Sequence, residues 1–460
     1  MTIASLESAS TVPVWEEWVS RRTHLTDSIT VDTVIVGAGY TGLWTAYYLA
    51  SAVPDMRIAV LDEKHVGFGA SGRNGGWASA IFPLSLSKVA KKSSHQSAVA
   101  LQHAMNDTVD EIQRVLEAHE VQADFDKSGY LSLIRTDAQL QRAHATVKSS
   151  SSFLGTDNQW TVLSPSETKA IIDVNQCQGA LYSPHCAVIH PGKLVRGLAG
   201  IVENLGVKIF ERTAAEDIGH GVVRTPGGTI RAENVVVATE GFTPRIPQLR
   251  RHLAPLHSLV VATEPLAPKQ LSDSGIHQRT AFNDMRNMRI YAQTTTDNRI
   301  VFGGRGAPYH FGSKVTADFD QNQAIHRKIT ETMLEFFPSL EGVQITNRWG
   351  GALGVPRDWH PSVSFNQRTG MGWAGSYVGD GVATSNLAGR ILRSQILGEE
   401  TSETRLPIAN HASPRWEPEP LRWMGINLGL KAASLGDAEE KLTGSPSRIV
   451  KTLEAFTGAH

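Results

Sequence analysis

The sequence predicts an α/β fold, α+β overall: a discontinuous Rossmann-like domain interrupted by a second domain built on a β-sheet. Three observations predict it. An apolar strand, a glycine turn, a helix and a second apolar strand follow one another from Thr33 to Asp62. The stretch from Leu256 to Arg305 reads almost wholly as β. A second glycine-rich segment runs from Trp349 to Gly381 and opens another helical pattern. So α/β pieces stand at the start, middle and end, with two inserts between them.

The elements follow in order. Residues 1–28 form a lead-in, whose Trp15 and Trp18 either dock on the body or meet a partner. Thr33-Val34-Ile35-Val36 is apolar on both faces, as a central parallel strand should be. Leu43 to Ala50 is a helix and Arg57 to Asp62 the next strand, which closes a βαβ unit of about 30 residues. Leu86 to Ala118 is helical and polar, and Gly129 to Ile134 is a strand. Ser149 to Ser152 marks a loop or a helix end. Pro191 to Asn204 is a helix, and Gly206 to Phe210 and Asn234 to Thr239 are strands. Thr330 to Phe337 and Val382 to Leu397 are helical, and the Pro- and Trp-rich remainder is an extension wrapped on the body.

Composition narrows the function. The chain has 460 residues, with 44 Lys+Arg against 45 Asp+Glu and a formal charge of −1. That balance gives no electrostatic case for a nucleic-acid partner. Two cysteines, Cys177 and Cys186, exclude a disulfide framework or a Cys-rich zinc site. The 17 histidines are scattered and show no metal spacing, so no metal is expected. No apolar run is long enough to cross a membrane, and no secretory leader is visible, so the expected location is cytoplasmic. A G-x-S-x-G elbow for acyl chemistry is also missing.

The first glycine cluster, Gly37-Ala38-Gly39-Tyr40-Thr41-Gly42, fits G-x-G-x-x-G. Alone the motif is weak, but here it follows a strand, opens a helix and precedes an acid, Asp62, at the end of the next strand. Gly37 permits the turn, Gly39 lets backbone approach a pyrophosphate, and Gly42 allows close helix–strand packing. The helix N-terminus offers unpaired N–H groups to phosphate. Asp62, with Glu63 beside it, is placed to accept from ribose hydroxyls, and its charge argues against a 2′-phosphate. The alternative is a glycine turn with no ligand. The next loop decides which dinucleotide. Gly67 to Trp77 holds five glycines in eleven residues. Ala70 and the glycines let a large flat ligand lie on the backbone, while Ser71, Arg73 and Asn74 supply donors. A nicotinamide domain does not need this loop and an extended FAD does. An NAD dehydrogenase is therefore the least favoured reading.

At this point the chain resembles the D-amino-acid oxidase-like FAD oxidoreductases, and most of all their gamma-glutamylputrescine oxidase branch. The residues that carry the likeness are Val34 to Gly42, Val60-Leu61-Asp62, Gly69 to Gly76, Gly303-Gly304-Arg305 and Gly375 to Val382. The likeness runs from about residue 30 to about residue 400. It implies an FAD-binding domain, assigned to 29–95, 175–255 and 336–400, and a substrate domain at 96–174 and 256–335, with 401–460 as the extension. It implies oxidation of a C–N bond in a small-molecule primary or secondary amine: electrons pass to flavin, the imine hydrolyses, and oxygen reoxidises the flavin to give hydrogen peroxide. Gly75, Gly76, Gly241 and the loop Gly375, Tyr377, Val378, Gly379, Asp380, Gly381 complete the expected cofactor contacts. Alternatives are a dehydrogenase with another acceptor, or a flavoprotein subunit of a larger assembly. The oligomeric state is left open.

Three departures from the family stand out. Asp380 occupies a position where many relatives have His. Gln293 to Thr296 contains no Arg for a substrate carboxylate, although Arg286 and Arg289 lie upstream, which weighs against a small α-amino acid. No Cys follows Cys186, so a covalent flavin link by that route is not available and dissociable FAD is expected. Four aromatic residues, Trp77, Tyr291, Trp349 and Tyr377, are candidates for the substrate pocket, each with core packing as its alternative. His360 is either a base near the flavin or a surface-loop histidine. Arg305 binds a carboxylate or pairs structurally. Lys269 is a cation for oxygen reduction or a solvated loop residue.

Overall fold

A computed structural model of the chain describes residues 4–17, 21–158 and 160–457. Trp18 lies outside the described residues.

Two eight-stranded sheets organise the molecule. The first has the order Ser362–Asn366, Met371–Gly375, Gly228–Val237, Ile29–Val36, Ile58–Leu61, Lys208–Phe210, with Val222–Thr225 and Asp217–Gly219 joined beside Gly228–Val237. Its central pairings are parallel: Val36 lies opposite Leu61 on one side and Val237 on the other. Parallel strands need crossovers, and the helices Tyr40–Ala52, His95–Ala118, Pro191–Asn204 and Gly381–Ile396 share one core against this sheet. Tyr40–Ala52 and Gly381–Ile396 touch almost backbone to backbone. A Cβ on Gly389 would stand 2.9 Å from Trp44.

The second sheet has the order Ile345–Pro356, Leu253–Thr263, Ile300–Gly304, Ile290–Thr294, Ala281–Asp284, Tyr130–Ile134, Gly179–Ser183, Thr161–Leu163. The helix Gln323–Phe336 lays Ile329, Met333 and Phe336 on one of its faces. A two-stranded ribbon, Trp77–Ser79 with Cys186–Val188, completes the β-structure described.

Several segments fall on the other side of the expected division. Gly179–Ser183 and Ile345–Pro356, assigned by sequence to the FAD-binding domain, pair in the second sheet. His95–Ala118, assigned to the substrate domain, buries Leu101, Met105 and Ile112 in the core of the first. An apolar strand or an amphipathic helix records that one face is buried, not which sheet buries it. The serine run Ser149–Ser152 lies inside the last turn and a half of a helix, Asp137–Leu154, which stops at Gly155. The C-terminal extension is helical, with Leu421–Thr443 and Arg448–Thr457.

Candidate active site

The first glycine turn joins Ile29–Val36 to the helix Tyr40–Ala52, at the carboxyl edge of the first sheet. Gly37 has φ +116°, and a Cβ there would lie 2.4 Å from the Ala238 carbonyl oxygen. Only glycine fits. A Cβ on Gly39 would stand 2.8 Å from Ser71 Oγ, so the two glycine loops meet backbone to side chain. The Tyr40 N–H donates to that same Ser71 Oγ at 2.9 Å.

A cavity of about 540 Å³ opens over this junction. Gly37, Gly39, Tyr40 and Thr41 form its floor, and Ala70, Ser71 and Asn74 one wall. Gly42 lies beneath the floor, where a Cβ would sit 2.0 Å from the Gly37 oxygen. Asp62 and Glu63 close the far end. Asp62 accepts from the N–H groups of Ala38 at 3.1 Å and Lys64 at 2.8 Å. A carboxylate has about four acceptor sites, so two are left for hydroxyls. Burial pushes the Asp62 carboxyl up to about 6, against the pull of those two N–H donors. Gly241, Tyr377, Gly379 and Gly381 line the near end.

Beside it lies a second cavity of about 170 Å³. The two share Ala70, Asn74, Leu353, Gly379 and Val382. Its walls include Trp77, Phe82, Tyr130, Tyr291 and Trp359, and its charges are Arg73, Arg289, Arg305 and Asp380. Burial raises the Asp380 carboxyl to about 6, opposed by the attraction of Arg305 and Arg289. Burial lowers the Arg305 guanidinium. Arg305 donates to the Val378 carbonyl and sits 5.8 Å from the Trp359 ring centre.

The expected site residues distribute unevenly. Trp77 and Tyr291 wall the second cavity, with their rings 6.2 Å apart and edge-on. The Trp77 indole N–H donates to the Ala292 carbonyl, and the Tyr291 hydroxyl pairs with Ser258 Oγ at 2.9 Å. Tyr377 faces the first cavity, and its hydroxyl meets Thr41 Oγ1 at 3.1 Å. Val378 and Asp380 turn to the second cavity and Gly375 to neither. Trp349 is a correction: it is fully buried, lines neither cavity, and donates from its indole to the Arg73 carbonyl at 2.9 Å. It packs edge-on against Trp15, whose own indole N–H donates to the Asn74 carbonyl. Two tryptophans thus brace the second glycine loop from behind.

Arg73 and Asn74 are likewise occupied by main-chain carbonyls. Arg73 donates to the carbonyls of Phe68 and Gly350, and the Asn74 amide to those of Ala70 and Ser71. Gly75 borders the second cavity, and Gly76 packs under Gln293. His360 is neither surface residue nor cavity base: it is 1% exposed and stacks on His411 at 4.0 Å. Lys269 is exposed and pairs with Asp273. The run Gln293 to Thr296 offers no Arg, but Arg289 before one strand and Arg305 after its neighbour both reach the second cavity, brought side by side where Ile290 pairs with Gly304.

Two residues escaped the sequence reading. Glu240 lies in the first cavity, where its carboxylate accepts the N–H of Tyr377 and of Gly354, both at 2.8 Å. Burial pushes it up to about 7. The only signal was an acid directly after an apolar strand. Gln293 is fully buried and donates to the carbonyls of Gly75, Gly76 and Ile189. Nothing local distinguishes it from any strand glutamine.

A family model described as "FAD dependent oxidoreductase" (DAO) matches residues 32–395. The chain belongs to that family. Gamma-glutamylputrescine oxidoreductase of Escherichia coli is 29% identical over 82% of this chain and 85% of its own. A probable oxidoreductase, OrdL, of Haemophilus influenzae is 29% identical over 80% and 83%. Glycine oxidase from Geobacillus kaustophilus superposes with a TM-score of 0.68 at 19% identity, over 83% of this chain and 99% of that one. The cofactor of this DAO-family chain is FAD. The glycine floor, the helix N-terminus and the Asp62 acceptor suit it, and neither Cys177 nor Cys186 lines a cavity, which accords with FAD held without a covalent link.

Proposed function

We propose that this oxidoreductase oxidises a C–N bond in a primary or secondary amine of the gamma-glutamyl-amine, polyamine or N-alkyl-amine type. The second cavity carries the reading. It is aromatic-walled, adjoins the cofactor cavity and contains one carboxylate among three guanidinium groups. When bound, FAD supplies the two-electron acceptor that turns CH–NH into C=N, with molecular oxygen as terminal acceptor and hydrogen peroxide as product. The imine then takes up water and releases a carbonyl compound and an amine or ammonia.

The chain's own residues have three tasks. Trp77, Tyr130 and Tyr291 exclude water around the reacting carbon. Asp380 holds the incoming ammonium and accepts its proton, since oxidation needs the neutral amine. Arg289 and Arg305 favour a substrate that carries an anionic group away from that nitrogen. The names of relatives support the class: gamma-glutamylputrescine oxidoreductase, and sarcosine oxidase subunit beta of an Arthrobacter species at 23% identity over 79% of this chain and 87% of its own.

An anaerobic titration tests this. Gamma-glutamyl-amines, putrescine, N-methyl amino acids, short alkylamines and D-amino acids are added in turn to the holoprotein. One amine class is expected to bleach the flavin absorption, and air to restore it with peroxide. Flavin that no amine bleaches would refute the amine reading, and bleaching that air does not reverse would refute oxygen as acceptor.

A further inference from the structure

The helix Leu421–Thr443 lies beyond the family match, which ends at residue 395, and it is built inside out. Its body-facing side is polar. Asn427 donates to the Tyr309 carbonyl and accepts from its N–H, both at 3.0 Å. Asp437 accepts from the N–H groups of Asn287 at 2.7 Å and Met288 at 2.9 Å. Glu440 receives the Arg142 guanidinium through two bonds of 2.7 Å. Outward, the same helix presents Leu421, Leu428, Leu435 and Leu442, 59–87% exposed. A surface helix on a globular body normally does the reverse.

The four leucines are each seven residues apart. A strict seven-residue period keeps a stripe in line only when helices wind around one another. Gly425 and Gly429 flank the stripe, and a Cβ on either would meet nothing within 4 Å, so another backbone has room to approach. Met424 extends the stripe at the helix start, while Trp423 points to another side of the helix, where Glu419 ties the N–H groups of Gly312 and Trp423 together. Among the described residues no element covers the stripe. Arg448–Thr457 folds instead onto the buried side, where Val450 would meet a Cβ on Gly436 and the Ser447 N–H donates to Glu440.

We infer that this stripe seats a second copy of the same chain, paired helix to helix about a two-fold axis. A two-fold pair presents one self-complementary patch to itself, as a continuous leucine row does. The exposed leucines with Met424 offer at most roughly 600 Å² per copy, so a pair removes up to roughly 1,200 Å² from water, the lower edge of a specific interface. Lys431 is the charged residue within the seam, between Leu428 and Leu435. Lys431 stands at the middle of the row, so either helix direction brings the two lysines near the axis, and each lays its stem on apolar surface while its ammonium head reaches out to water.

Sedimentation velocity of the full-length holoprotein at micromolar concentration tests the inference. The wild type is expected at twice the chain mass. The double substitution Leu428→Glu, Leu435→Glu is expected at the chain mass, with flavin spectrum and turnover unchanged. A monomeric wild type, or a dimer that survives both glutamates, overturns it. So does a monomer whose stripe instead binds vesicles of mixed phosphatidylcholine and phosphatidylglycerol, a binding the glutamates abolish. Should the glutamates disturb folding, Leu428→Ala with Leu435→Ala is expected to raise the dimer dissociation constant at least about tenfold at unchanged helix content, and an unchanged constant overturns the inference.

Discussion

Asp62 shows how one carboxylate can hold backbone N–H groups and still offer acceptors to a cavity. Two of its acceptor sites hold the Ala38 and Lys64 N–H groups, and the rest face the cofactor cavity. Asp62→Asn keeps the shape and removes the charge and an acceptor. It is expected to weaken FAD by about tenfold to a hundredfold, the worth of about 1.5–3 kcal/mol for hydrogen bonds to a charged group. Flavin fluorescence on dilution reads this directly, and an unchanged dissociation constant would remove Asp62 from the cofactor site. Asp380 has a different task and a different signature. Its carboxyl is raised to about 6 by burial, so the anion forms only above that pH. If that anion holds the substrate ammonium, kcat/KM falls tenfold per unit below about pH 6. Asp380→Asn is expected to lose this acid limb and keep the alkaline one. An unchanged limb would assign the titration to another group.

At the scale of elements, the decisive contact lies between a strand and a loop. The Tyr291 ring fills the space where a Cβ on Gly303 would stand at 2.3 Å and one on Gly75 at 2.5 Å. Gly303 lies directly opposite Tyr291 across the strand pair, so the cross-strand register itself makes the slot. Gly303→Ala must push the ring toward the second cavity. We expect a stability loss of about 1–3 kcal/mol from overpacking, together with a raised KM at nearly unchanged FAD affinity. Denaturant titration and steady-state kinetics separate the two effects. A variant with wild-type KM would show that the ring yields away from the cavity instead.

Across the whole molecule, the second sheet holds the second glycine loop in place through Gln293. Its amide bridges Gly75, Gly76 and Ile189, segments that the chain itself does not bring together. Gln293→Leu keeps the volume and leaves the carbonyls of Gly75 and Ile189 without that donor, while Gly76 keeps the Ile189 N–H. It is expected to cost about 1–3 kcal/mol of stability and to loosen FAD although the side chain lines neither cavity. Retention of wild-type FAD affinity would show the loop to be rigid without it. Stability should also depend on pH through His360, which burial, with the nearby His411 charge, lowers to about 4. Below about 6.5 the unfolded chain binds a proton that the folded histidine refuses. Its contribution is therefore full above pH 6.5 and lost as pH falls toward 4. In His360→Gln the decline of Tm over that interval should be shallower, and an identical slope would place the titration elsewhere.

The sequence by itself determined the parts whose signals are local. The turn at Gly37, the acid at Asp62 and the small residues from Gly69 to Gly76 all depend on neighbours within one βαβ unit and its following loop. Backbone conformation and spacing constrain such residues directly, so they were legible; of the four aromatic candidates, Trp77 and Tyr291 line the second cavity. Only the tertiary structure decided the rest. Trp349 and Trp77 read alike as aromatics beside glycines, yet one supports the loop from behind and the other walls the cavity. Gly179–Ser183 and Ile345–Pro356 joined the second sheet because strand pairing is chosen by long-range packing. Glu240 and Gln293 matter through carbonyls and N–H groups far along the chain. A hydrogen bond between distant segments leaves no pattern in the sequence around either end, because its geometry exists only once both sheets have closed on the loop.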